Sequence, residues 1–222
     1  IQAERVLAHY YAQAGMEEEA LAHFMHLAKS QDKTTRADAI LQCAQIARNL
    51  GQRDFARKYF EEILVTPELE QWHGESQLAL MSEASLTNRH QDVIDYYKRG
   101  DYPLDKEPLS RRLQIAAKSY EALGQEEQAT ALFRELARIA PDNMTALEAS
   151  YLVLSREYKT GSRKLIKQIG AFLERFEKEN ASDPRIHNAR LMLAESYHRA
   201  KRHGLAAEAY SAIDLTHIAP EN

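Results

Sequence analysis

Apolar residues recur along this chain at the three- and four-residue spacing of one helix face. The stretches that carry them are separated by short polar breaks holding most of the glycines and prolines. No segment alternates with period two, so the pattern predicts helices and no sheet. The clearest stretch runs from Ser110 to Asn143. Leu113, Ala116, Ala117 and Tyr120 share one helix face, Gly124 breaks the pattern, Ala129 and Phe133 lie four apart on a second helix, and Pro141 closes it. Alanine at 117 and 129 lets two helix axes approach to roughly 8–10 Å, and Tyr120 and Phe133 fill the gaps beside them. Gly124 can take the left-handed conformation that caps a helix and turns the chain, and Pro141, without an N–H, ends the second helix.

This unit recurs. Phe24, Phe60, Tyr97 and Phe133 are spaced by 36, 37 and 36 residues, and Tyr11, Ala47, Ala84 and Tyr120 by the same intervals. The recurrence predicts units over residues 1–34, 36–70, 74–108, 110–143, 144–183 and 185–220. In the first, Leu7, Ala8 and Tyr11 precede Gly15, Ala20 and Phe24; in the second, Ile40, Cys43, Ala44 and Ala47 precede Gly51, Ala56 and Phe60. The third is degenerate, with Leu80, Met81 and Ala84, a turn at Asn88, then Val93 and Tyr97. The fifth is enlarged, with two amphipathic segments but no small-residue columns. The sixth restores the columns with Leu191, Ala194, Tyr197, Ala206, Tyr210 and Ile213. Thr66–Pro67 and Asp183–Pro184 read as helix starts, a cap followed by proline at the first helical position. Residues 100–108, GDYPLDKEP, form the longest break and a candidate hinge.

The columns and turn residues resemble the tetratricopeptide repeat, a helix-turn-helix unit with a large apolar residue, small residues and Tyr in the first helix, then Ala and an aromatic four apart and Pro. The resemblance implies an all-α, right-handed superhelical solenoid of about six repeats, a single array spanning residues 1–222. The family period of 34 is stretched here to 36 or 37, which implies longer second helices or links. It also implies a protein-interaction scaffold that holds a peptide or folded partner in a concave groove lined by the first helix of each unit. The polar residues between the core columns are then the binding candidates: Arg5, His9 and Gln13 in the first unit; Asp38, Gln45 and Arg48 in the second; Glu75 and Ser82 in the third. Arg111, Gln114, Lys118 and Glu121 follow in the fourth, and Asn188, Glu195 and His198 in the sixth. Co-chaperones of the family clamp a C-terminal carboxylate with Lys, Asn, Asn, Lys and Arg. The matching positions here are Arg5, His9, Gln42, Glu75 and Ala79, so that clamp is not expected.

Charge and chemistry narrow the picture further. With 29 basic and 33 acidic residues the net charge is −4, so no global field favours nucleic acid. No run approaches the length of a membrane-spanning helix, and no membrane insertion is expected in this segment. Cys43, the only cysteine, sits in a small-residue core column and reads as packing rather than as a nucleophile. Two Glu-x-x-His pairs, Glu70 with His73 and Glu195 with His198, have the spacing of helical metal ligands, but a solenoid keeps such distant units apart. His23 and His26 share a helix face and read as solvated residues. The basic group Arg156, Lys159, Arg163, Lys164 and Lys167 could meet phosphate or an acidic partner, and a solvated helix face explains it equally well. Trp72 reads as a plug between the second and third units. Without a Gly-x-Ser-x-Gly, His-Glu-x-x-His or phosphate-cradling glycine loop, neither an enzyme, a metal nor a cofactor is expected. The alternative to a scaffold is a regulatory sensor that binds a small molecule and signals to a domain elsewhere. Cytoplasm and bacterial envelope both fit a single free thiol.

The chain begins at Ile1 in helical pattern and repeats IAPDN (residues 139–143) as IAPEN (residues 218–222). The first reads as a processed chain or a fragment of something longer and the second as a cut at a repeat boundary, and the leading expectation is a piece of a longer bacterial repeat protein. A final helix over residues 204–215 is then expected to expose Leu205, Ala212, Ile213 and Leu215, a C-terminal edge open to self-association.

Overall fold

The computed structural model describes residues 2–161 and 164–213. Among them are twelve α-helices, one 3-10 helix and no strand. They form two compact units, Ile1–Leu123 and Gly124–Asn222.

The first unit contains α1 (Gln2–Gln13), α2 (Glu17–Leu27), α3 (Lys33–Asn49), α4 (Arg53–Leu64), a 3-10 helix (Pro67–Trp72), α5 (His73–Leu86), α6 (His90–Tyr97) and α7 (Lys106–Ala122). Each α-helix packs on the next, and α5 also packs on α7. The second unit contains α8 (Glu126–Ile139), α9 (Asn143–Thr160), α10 (Leu165–Phe176), α11 (Pro184–Arg199) and α12 (His203–Ser211), again packed in sequence, with α9 also touching α11. Sequential packing of helical hairpins is the local rule of a helical repeat protein.

The small-residue columns are the reason these helices stack. Ala8, Ala20, Ala44, Ala47, Ala84, Ala116, Ala117, Ala129 and Ala194 are all fully buried, with Phe24 and Phe133 beside them. In the second unit Leu147, Ile169, Phe172, Phe176 and Ile186 form one apolar cluster. A third column marks the turns. Gly15, Gly51, Asn88, Gly124, Gly161 and Lys201 all have positive φ, and each stands between the two helices of one predicted unit. In the first, second, third and sixth units the next residue donates its N–H to the carbonyl of the Tyr/Ala column five back: Met16 to Tyr11, Gln52 to Ala47, Arg89 to Ala84 and Arg202 to Tyr197. That is the Schellman closure of a helix C-terminus, and it explains why turn and column keep a constant spacing.

Helix starts follow side-chain caps. Asp32, Asp142 and Asp183 accept from the backbone N–H of Thr35, Thr145 and Arg185, at the starts of α3, α9 and α11. Side-chain hydrogen bonds from Thr35 and Arg185, together with these backbone bonds, hold the Asp32 and Asp183 carboxyls below the usual range, and the Thr145 N–H and hydroxyl do the same for Asp142. Asp183–Pro184 starts a helix as expected. Thr66–Pro67 instead opens the 3-10 helix, because the Thr66 hydroxyl donates back to the Glu62 carbonyl at 2.7 Å and leaves no cap. Trp72 ends that segment, half-buried.

The structure corrects several expectations. Leu7 and Tyr210, assigned to core columns, are 39% and 41% exposed, because among the described residues no further helix covers those faces of α1 and α12. The extra residues of the long period do not lengthen the second helices, which run from 8 to 14 residues; α3, α7 and α9 reach 17, 17 and 18. The break at 100–108 is shorter than expected and is not hinge-like. α7 already begins at Lys106, with Pro108 tolerated in its first turn, and the preceding strap is pinned from beneath. Gln77 on α5, fully buried, donates to the carbonyls of Tyr96, Tyr97 and Gly100 at 2.9, 3.3 and 2.9 Å. Arg112 on α7, 3% exposed, bonds Gln77, the Tyr102 carbonyl and Asp101. At the C-terminal edge Leu205 is 43% exposed as expected, α12 ends at Ser211, and Leu215 and the IAPEN segment lie outside the described residues.

Candidate functional site

The first helices of the first unit, α1, α3, α5 and α7, carry twelve of the fifteen candidate residues, and all twelve are exposed or half-buried. The structure groups them unevenly. Arg5 Nε and His9 Nε2 from α1 lie 3.5 and 3.2 Å from the same oxygen of Asp38 on α3, a small ion-pair cluster linking two units of the array. With Gln13 they line a shallow depression that also takes in Val6 and Tyr10.

Further along, Arg48, Glu75, Ser82 and Arg111 line one groove of about 620 Å³. These four residues come from α3, α5 and α7, separated in sequence but stacked side by side by the repeat. Their shared groove also contains residues that the sequence did not mark. Leu78, Ala79, Leu86 and Pro108 give it apolar surface, and Arg53 and Glu83 add charge. Leu86 is 82% exposed, so the groove is open to solvent. The Arg48 guanidinium lies 5.8 Å from the centre of the Phe60 ring. Glu83 is 3.5 Å from Arg89, which also pairs with Asp92 at 2.8 Å. The Ser82 hydroxyl is turned to its own helix, donating to Leu78 at 2.7 Å. Gln45, Gln114, Lys118 and Glu121 do not line the groove.

In the second unit Asn188 and Glu195 on α11 face two tyrosines of α9. Asn188 donates to the Tyr151 hydroxyl at 3.1 Å, and Glu195 accepts from the Tyr158 hydroxyl. Arg199 donates to the same hydroxyl at 2.8 Å and lies 4.7 Å from the centre of that ring. His198 is not part of this cluster, since its ring meets His203 edge-on at 5.6 Å. Tyr151 and Tyr158 were missed because their unit lacks the small-residue columns. Gly161 was the available signal: counted back from the turn, Tyr151 matches Arg5 and Gln114, and Tyr158 matches Arg48, Glu121 and His198.

A second cavity, of about 290 Å³, lies between α8, α9 and α10. Its walls are Ala137, Val153, Leu154, Ala171, Phe172 and Phe176, with Arg134, Ser150, Glu157, Gln168 and Arg175 among them. No candidate residue lies there.

The groups suspected of reactive chemistry are otherwise engaged. Burial pushes the Cys43 thiol up to about 12, away from thiolate. His73 lies buried with Nε2 3.2 Å from the Thr66 carbonyl, and Glu70 beside it is exposed. His26 and His23 approach Glu4 at 2.7 and 3.8 Å. No helix among the described residues is long and apolar enough to cross a membrane.

Sequentially packed helical hairpins define a helical repeat protein. The family model of the tetratricopeptide repeat matches residues 110–143, the same unit whose columns are clearest, so that unit is similar to a tetratricopeptide repeat. Such repeats generally mediate protein–protein interactions, and the family is typically non-enzymatic. No curated protein matches the chain.

Proposed function

We propose that this chain is a scaffold that binds a peptide or a folded partner along the face formed by its first helices, with the groove between α3, α5 and α7 as the main contact in the first unit. One observation carries this reading. Arg48, Glu75 and Arg111 line, together with Leu78, Ala79, Leu86 and Pro108, one groove open to solvent. A surface that combines apolar and charged side chains, with arginine among them, has the composition of a protein-binding surface. A small-molecule sensor calls for an enclosed apolar pocket, and this groove is not enclosed.

The reading is tested by selecting peptides from a random displayed library against the full chain. Selected peptides are expected to lose at least about tenfold in affinity to Leu78→Asp and to respond to Arg48→Glu and Arg111→Glu. They should be indifferent to Glu19→Lys on α2. Circular dichroism confirms that each variant is folded. Peptides that bind all three groove variants as tightly as the parent would overturn the assignment.

A further inference from the structure

The cavity of the second unit sits where the repeat should be most tightly closed. In five of the six second helices the fourth residue is small and buried: Ala20, Ala56, Val93, Ala129 and Ala206. The eighth is the aromatic column of Phe24, Phe60, Tyr97, Phe133 and Tyr210. In α10 the eighth residue is Phe172, so the register is kept, but the fourth is Gln168. This correspondence is hidden in the sequence because α10 starts four residues after the left-handed turn residue, not two as in the other units. On α9, counting back from Gly161 in the same way, Leu154 replaces the small residue and Glu157 the Tyr/Ala position.

Leu154 and Gln168 are therefore larger than the small residues that let most of the other hairpins close, and Glu157 brings a charge to the Tyr/Ala position. The consequence is visible: α9 and α10 pack on each other less extensively than α1 on α2, α3 on α4, α5 on α6 or α11 on α12. Leu154, Glu157 and Gln168 all line the cavity that results. Gln168 Oε1 is buried there without a hydrogen-bond partner among the described residues. An unpaired buried acceptor is costly and rare in a folded chain, and in a cavity it marks a place for a donor from outside. The polar neighbours do not supply one: Arg134 Nη2 is held by Glu157 at 2.8 Å, and the Arg175 guanidinium lies 4.7 Å from the centre of the Phe176 ring.

We propose that the opened fifth repeat is an anchor pocket for a tryptophan side chain of the protein partner, its indole N–H donating to Gln168 Oε1 and its ring lying against Leu154, Phe172 and Phe176. Indole is an apolar body with a single donor and no acceptor, which matches apolar walls around one unpaired acceptor. The volume, about 290 Å³, is at the small end for drug-sized ligands and suits one large side chain. Buried tryptophan is also a frequent energetic centre of protein interfaces. The identity of the occupant as a partner's side chain rests on the scaffold reading above; the chemistry of the pocket does not.

The test is an NMR titration of the full isotope-labelled chain with N-acetyl-tryptophanamide, its 1-methylindole counterpart and N-acetyl-leucinamide. Saturable shifts are expected at the amides of Leu154, Ala171 and Phe172, in the millimolar range for tryptophanamide. The 1-methyl compound, lacking the donor, should bind about fivefold more weakly or worse, the lower bound for an acceptor left unpaired. Gln168→Ala restores the residue type of the other hairpins and is expected to fold, with a melting temperature no lower than the parent's, and to lose the response. Absence of saturable shifts, equal binding of the 1-methyl compound, or an unchanged response in folded Gln168→Ala would each overturn the proposal. Failure here leaves peptides selected on the α3–α5–α7 groove responsive to Leu78→Asp, so the two readings fail separately.

Discussion

Replacing Gln77 by leucine removes the pin under the strap while nearly preserving volume, and the structure sets the size of the effect. Gln77 Nε2 shares its two hydrogens among three carbonyls, and Oε1 accepts one bond, from Arg112 Nη1 at 3.1 Å. Two partners keep alternatives: the Tyr96 carbonyl still receives the Arg99 N–H at 3.1 Å, and Arg112 Nη1 still reaches the Tyr102 carbonyl at 2.8 Å. The loss falls mainly on the Gly100 carbonyl, bonded at 2.9 Å. At about 1–3 kcal/mol for a buried group left unpaired, the expected cost is about 2 kcal/mol. That is a large part of the about 5–15 kcal/mol by which a domain is stable. Trp72, the only tryptophan, lies in the first unit, so its fluorescence during urea denaturation reports that unit alone. With a slope of about 2 kcal/mol per molar urea the midpoint should fall by about 1 M. A fall under about 0.25 M at unchanged slope would refute the claim that Gln77 holds the strap. Because α7 starts at the end of that strap and carries Pro108 and Arg111 into the groove, peptides selected on the groove should also bind the variant more weakly.

Ala129, with no exposed surface, should not accept a larger residue. Ala129→Leu is expected to cost about 1–3 kcal/mol by chemical denaturation, and an unchanged midpoint would remove it from the core. Cys43 should resist Ellman's reagent at neutral pH in the folded chain and react once urea is added. Its thiol is raised from 9.0 to about 12, so the folded state keeps a proton that the unfolded state releases. Its contribution to stability is therefore complete below pH 9 and is lost as the pH rises towards 12, a decline that Cys43→Ala should flatten. Asp183→Ala removes the cap of α11 and should cost about 1 kcal/mol near neutrality. Hydrogen bonds from Arg185 lower the Asp183 carboxyl, so this contribution is present above the ordinary carboxyl range and lost as the pH falls through the lowered one. Parent and variant should converge in acid.

What the sequence determined by itself is the part of the fold that depends on neighbours within one hairpin. Ala117 with Tyr120, or Ala129 with Phe133, declare a buried helix face by spacing alone, and Gly15, Gly51 and Gly124 declare the turns because few other residues take their backbone conformation without strain. Column counting therefore located five hairpins, and the family match falls on the clearest. It also marked four residues that line one groove, because the polar positions of stacked first helices fall on a common face. Tertiary structure decided what depends on contacts across units. Arg112 and Gln77 carry no mark in the helix pattern, yet both are buried beneath a strap whose carbonyls they bond, which no periodicity reveals. Tyr158 meets Glu195 only because α9 and α11 touch. Gln168 was lost to counting because two added residues shift α10 against its turn. Only the folded hairpin restores its register beside Phe172, and only the resulting gap shows that a residue too large and too polar for its column has opened the repeat.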